Sequence, residues 1–232
     1  MPDLRPHSRR TFLLASSAGM ALTGLAVPLR ANAKEAAVQL DKYEPVYFTP
    51  DEWSFVLAAT SRLIPSEGDG PGALEAHVPV FIDRELAGEY GSAKDWYMQG
   101  PHDPTASADR GWQSPLNPAE LYRKAIPAFN AWCESRWNKD FKSLPPEQQD
   151  EALTALQKGE AKLAPELSFF FATLLSNTKE GYFADPMYGG NYGMQSWSYI
   201  GFPGARAGFT EWVDQHNVKY PLGPVSIKGE RA

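Results

Sequence analysis

Twice the chain carries the same four-residue opening, Thr49-Pro50-Asp51-Glu52 and Asn117-Pro118-Ala119-Glu120. Each sets a capping side chain first, a proline at the first helical position, and a glutamate whose carboxylate can reach back to the cap. Trp53, Val56, Leu57, Thr60 and Ile64 follow the first opening at helical spacing, until Pro65 and the Gly-rich stretch 66–72 stop the helix. Tyr122, Ala125, Ile126, Phe129, Trp132, Cys133 and Trp137 follow the second, with Pro127 expected to kink that helix or shift its start. No stretch alternates polar and apolar residues over the length of a strand. These patterns predict an all-α protein, a single irregular helical domain with long loops rich in Gly, Pro and aromatic residues.

The remaining helices read less sharply. One begins near Pro79, with Val78, Phe81, Ile82 and Leu86 on one face and Gly88 and Gly91 at its end. Asp83, Arg84 and Glu85 read as its solvated side. Another opens at Ser143-Leu144-Pro145-Pro146-Glu147 and runs through Leu153 and Leu156. A third spans Leu163 to Leu175, apolar on most sides through Phe169, Phe170 and Phe171, and so is expected to be buried on more than one face. Residues 34–48 read as an extended, weakly ordered lead-in. Residues 92–116 form a long loop whose Trp96, Tyr97, Met98 and Trp112 suggest a packed surface. From Asn177 onward glycines, prolines and aromatics interleave, which predicts a rigid irregular surface suited to a large partner.

The first 33 residues have a separate character. Ser8-Arg9-Arg10-Thr11-Phe12 precedes a moderately apolar run from Leu13 to Leu29, and Ala31-Asn32-Ala33 has the small-residue form of a cleavage site. Arg9, Arg10 and Phe12 mark a twin-arginine export signal, and Ala31 and Ala33 its cleavage. The apolar run is 17 residues long and broken by Gly19, Gly24 and Pro28, which argues against a membrane anchor. The paired arginines and Arg30 argue against an ordinary secretory signal. The expected domains are therefore the signal at 1–33 and one domain at 34–232. That export route carries folded proteins, which raises the question of whose cofactor required it.

Residues 34–232 hold 18 basic and 27 acidic side chains, a net charge of −9. Such a balance disfavours nucleic acid and anionic lipid. Cys133 is the only cysteine. It excludes an internal disulfide and a four-thiolate iron–sulfur site, and no C-x-x-C-H attaches haem. At its helical spacing it reads as a small core residue. Gly201, Gly204 and Gly208 follow no strand and read as close packing rather than a nucleotide loop. His77, His102 and His216 are widely separated and lack metal-ligand spacing. Asp95, Asp103 and Asp109 read as ordinary loop acids. No catalytic, cofactor-binding or metal-binding residue is assigned, and whether the chain counts as an enzyme is left to its complex.

Several stretches stand out: Tyr43-Glu44-Pro45-Val46, Arg62-Leu63-Ile64-Pro65, Trp96-Tyr97-Met98-Gln99-Gly100-Pro101 and Tyr220-Pro221-Leu222-Gly223-Pro224-Val225-Ser226, with residues 177–191 and 201–206 the highly specific ones. In them the chain resembles the small subunit (subunit 3, gamma) of membrane-associated gluconate 2-dehydrogenase, whose relatives serve fructose, glucose and sorbitol dehydrogenases. The Trp96–Pro101 and Tyr220–Ser226 stretches favour the gluconate branch.

The resemblance implies a heterotrimer at the periplasmic face of the inner membrane. An FAD-containing large dehydrogenase subunit would oxidise D-gluconate to 2-dehydro-D-gluconate. A multihaem cytochrome c subunit would pass the electrons to quinone. The small subunit would lead the large one through the twin-arginine translocase and support its maturation and stability. FAD and haem c then belong to the partners. Trp96, Tyr182, Tyr188, Trp197 and Phe202 are the expected partner-binding anchors, on the 92–116 loop and the 177–206 segment. Two other readings are a stand-alone periplasmic enzyme with its own non-covalent cofactor and a free periplasmic binding protein.

Overall fold

The computed structural model describes residues 40–103, 105–106 and 110–232. Both four-residue openings form complete capping boxes. Thr49 and Glu52 start α1 (Pro50–Leu63), and Asn117 and Glu120 start α3 (Pro118–Trp137). The two boxes are also tied to each other. Arg123 of α3 pairs with Glu52, a second nitrogen of the same guanidinium donates to the Tyr47 carbonyl at 2.8 Å, and the Tyr47 hydroxyl donates to the Ala119 carbonyl. Between them lies α2 (Val78–Ala87); after them come α4 (Pro146–Gln157), α5 (Phe170–Phe183) and the short α6 (Gln195–Ile200). The described residues contain no strand, only isolated bridges.

The core is aromatic. Phe55 of α1 packs against Phe129 of α3, Phe141 and Phe170 at ring separations of 5.1–6.1 Å, and all four are fully buried. Tyr122 meets Phe170 edge-on at 5.4 Å. Its buried hydroxyl donates to Asn177 Oδ1 at 2.9 Å, and Asn177 Nδ2 donates to the Tyr90 hydroxyl at 2.8 Å. Cys133 is fully buried, and burial followed by the nearby Asp140 pushes its thiol up to about 12, so it is a core residue rather than a nucleophile.

Four local expectations are corrected. Pro127 does not shift the start of α3, which continues through it to Trp137; the Asn117 box sets the start, and burial of Ile126 and Phe129 holds the turn whose hydrogen bond proline removes. The helix expected over 163–175 is instead a single 3₁₀ turn at Pro165–Leu167 followed by α5, which runs on to Phe183. Asn177, Thr178 and Gly181 are weak helix formers, yet all three are buried inside α5. Gly181 is required there, because a Cβ would lie 2.8 Å from the Phe81 ring of α2.

The third correction concerns Asp83, read as solvated. It is fully buried and accepts four hydrogen bonds: from the Tyr43 hydroxyl at 2.8 Å and from the backbone N–H groups of Val46 (2.7 Å), Tyr47 (3.0 Å) and Phe48 (3.0 Å). The fourth follows from it: the later part of the lead-in, 43–48, is clamped onto α2 instead of being loosely held.

Candidate functional site

Arg9, Arg10, Phe12, Ala31 and Ala33 lie outside the described residues. The five expected anchors divide into two groups. Tyr182 and Trp197 are only 6% exposed. The Tyr182 hydroxyl donates to the Pro71 carbonyl at 2.7 Å, and the Trp197 indole N–H donates to the Phe183 carbonyl at 2.8 Å. Both polar tips are satisfied inside the chain, so these two residues shape the surface from beneath instead of presenting it. Trp96, Tyr188 and Phe202 are exposed by 37%, 46% and 44%.

Tyr188 and Phe202 share one region, with Phe202 packed edge-on against Trp197 at 5.1 Å. Trp96 belongs to a different one. It packs on Trp112 at 5.2 Å, and Trp112 packs on Phe169 at 5.4 Å, just before α5 begins. This series, with the Trp112 indole N–H donating to the Leu116 carbonyl at 3.0 Å, packs the two ends of the 92–116 loop, around Trp96 and Trp112, against the helical body. The Tyr188 region follows the other end of α5, a 14-residue helix about 21 Å long.

Segment 184–204 is wound tightly. Gly189, Asn191, Gly193, Met194, Gly201 and Gly204 all have positive φ. Asn191 is fully buried, donates from Nδ2 to the Ala184 carbonyl at 3.0 Å and accepts the Ser196 N–H at 3.0 Å. His77, at φ 55°, stacks on Tyr192 at 4.3 Å, and burial lowers its pKa. Asp185 is buried and holds two separate stretches: Oδ1 accepts the Met187 N–H at 3.1 Å and Oδ2 the Ile227 N–H at 2.7 Å. Such closely satisfied backbone makes a rigid surface, not a mobile one. Of the loosely spaced Gly201, Gly204 and Gly208, only Gly204 is a close-packing position, where a Cβ would lie 2.2 Å from the Val225 oxygen.

What this surface presents is apolar. Residues 186–205 contain no Lys, Arg, Asp, Glu or His, although Met187, Tyr188, Tyr199, Ile200 and Phe202 are exposed. Of the fourteen large hydrophobic side chains exposed among the described residues, eleven fall between Phe183 and Ile227. Residues 183–232 carry four basic and four acidic side chains, so the whole net charge of −9 resides in the preceding helical body. A charge-depleted centre rich in Tyr, Phe and Met has the composition of a protein–protein interface core. Met187, Tyr199 and Ile200 join Tyr188 and Phe202 as exposed apolar side chains that the sequence reading did not single out; the twenty-residue absence of charge was the signal that could have found them. Among the described residues no group of three or more His, Cys, Asp or Glu could hold a metal ion, and no helix is long and apolar enough to cross a membrane.

A family model described as gluconate 2-dehydrogenase subunit 3 matches residues 50–204. The chain belongs to this family. The six α-helices of the described residues and the uncharged segment up to Gly204 lie within the match, while the lead-in that Asp83 clamps and the residues after Gly204 lie outside it. No curated protein and no solved structure matches the chain. Membership of the gluconate 2-dehydrogenase subunit 3 family makes the chain one subunit of a multi-subunit dehydrogenase, so an uncharged apolar face has a reason to exist.

Proposed function

We propose that this chain is the non-catalytic small subunit of a heterotrimeric, membrane-associated dehydrogenase, and that it docks an FAD-containing large subunit through the uncharged face at 186–205. The observation that carries this reading is that face, rigid and apolar on an otherwise acidic member of a dehydrogenase-subunit family. A surface of this kind left in water favours association. The leader at 1–33 supplies the second half of the role. Arg9 and Arg10 direct the chain to the twin-arginine translocase, and the large subunit, loaded with FAD, crosses to the periplasm as its passenger. A multihaem cytochrome c subunit completes the complex at the inner membrane. D-gluconate is the proposed substrate of the large subunit, supported by the Trp96–Pro101 and Tyr220–Ser226 stretches.

Expression of the large subunit with and without this chain tests the proposal. With the chain present, flavin-loaded, active large subunit accumulates in the periplasm, and Arg9→Lys with Arg10→Lys abolishes that accumulation. Normal periplasmic amounts of active large subunit in the absence of the chain would refute the carrier role.

A further inference from the structure

Resting on the docking role just proposed, we infer that residues 205–224 form a second contact arm that extends the uncharged face onto the large subunit. The arm is a closed loop. Its ends meet where the Ala205 N–H donates to the Val225 carbonyl at 2.7 Å and the Val225 N–H donates to the Pro203 carbonyl at 3.2 Å. Inside the closure it has a small core of its own. The Arg206 guanidinium lies over the Tyr220 ring at 5.1 Å and donates to the Gly223 carbonyl at 2.5 Å, while Phe209 and Trp212 pack edge-on to Tyr220 at 5.4 and 5.2 Å. Compact surface loops with joined ends and self-packed side chains are often functional.

Outside this core the arm exposes three aliphatic side chains among polar ones such as Glu211, Asp214, Gln215 and His216. Val213 is 66% exposed, Val218 54% and Leu222 53%. A solvated loop tip normally carries small and polar residues. The arm's two basic and two acidic side chains balance, so it continues the neutrality of the 186–205 face. Two tethers make the arm and the face one surface. Gly204, bridged to Val225, stands two residues after Phe202, and Asp185 holds Met187 of the face and Ile227 just past the arm with its two oxygens. The occupant is the large subunit, because the segment that the arm extends carries exposed Met187, Tyr188, Tyr199, Ile200 and Phe202 without a charged residue of its own, and the chain is a dehydrogenase subunit by family. The arm lies beyond the family-matched residues.

The test is co-purification of the large subunit with the full chain. The triple variant Val213→Asp, Val218→Asp, Leu222→Asp is expected to lower recovered large subunit by about tenfold or more, with the thermal unfolding of the chain itself unchanged because all three sites are exposed. A second variant, with residues 208–219 replaced by a short Gly-Ser linker, is expected to give the same loss and covers the case in which the triple variant fails to fold. Wild-type recovery with either folded variant overturns the arm. If Tyr188→Ser with Phe202→Ser still abolishes recovery in that case, the docking role stands without it. Failure of the wild-type chain to recover the large subunit at all overturns both.

Discussion

Replacing Asp83 by Asn tests how the start of the domain is held. The substitution keeps the shape of the side chain and exchanges one acceptor oxygen for an NH₂ group. Oδ1 accepts from the Tyr47 and Phe48 N–H groups, and Oδ2 from the Val46 N–H and the Tyr43 hydroxyl. An amide nitrogen at the Oδ1 site faces two N–H donors; at the Oδ2 site it faces only the Val46 N–H, because the Tyr43 hydroxyl can turn and accept. A hydrogen bond to a charged group contributes about 1.5–3 kcal/mol against about 1 kcal/mol for a neutral one, so losing the Val46 contact and weakening the other three would cost about 3–6 kcal/mol if the segment stayed in place. Release of 43–48 into water caps that cost, because freed N–H groups rehydrate, and the expected net loss is about 3 kcal/mol. For a domain of this size that corresponds to about 6–12 °C in Tm. Urea unfolding gives the free energy, and amide hydrogen exchange identifies the mechanism. Val46, Tyr47 and Phe48 should be protected in the wild type and exchange freely in Asp83→Asn. A stability change under about 0.5 kcal/mol, the usual scale for a surface substitution, with those three amides still protected would refute the clamp.

Gly190→Ala should destabilise by about 1–3 kcal/mol or more, since its Cβ would stand 2.1 Å from the Gly181 carbonyl oxygen; chemical denaturation measures it, and a neutral result would mean that 184–194 does not wrap the end of α5. The Cys133 thiol, buried and pushed up to about 12, should resist alkylation at pH 8 in the native state and react fully in denaturant, one thiol per chain. Burial, then the Asp83 hydrogen bond, raises Tyr43 from 10.0 to about 12. The neutral phenol is thus favoured by folding, and its contribution is complete below pH 10 and lost as pH rises through about 12. Alkaline unfolding should accordingly be less steep over that window in Tyr43→Phe than in the wild type.

Helix starts were legible in the sequence because capping is a local interaction. Thr49 and Glu52, or Asn117 and Glu120, lie three residues apart and need nothing else to find each other. The all-α class followed from those starts and from the spacing of the stripe on the second helix, whose Phe129 packs beside Phe55, itself in contact with Phe170. The candidate site was half legible: the texture of 177–206 marked a region where exposed apolar side chains gather, and Tyr188 and Phe202 do face outward. Tyr182 and Trp197 could not be separated from them, because an aromatic ring suits a core and an interface equally; the direction each ring takes depends on whether a carbonyl such as that of Pro71 or Phe183 waits inside.

Polar residues were the least legible. Asp83 between Ile82 and Arg84 has the local appearance of a solvated acid, and Asn177 that of a helix breaker. Their roles come from donors 35 to 40 residues away for Asp83 and 55 residues away for Asn177, whose donor is the Tyr122 hydroxyl. The order along the chain determined where helices begin and where charge is absent, since both depend on near neighbours or on composition alone. Which polar groups are buried, how far α5 runs, and which aromatics remain in water were decided by the tertiary structure, because desolvating a polar group is tolerated only where distant partners replace the water it loses.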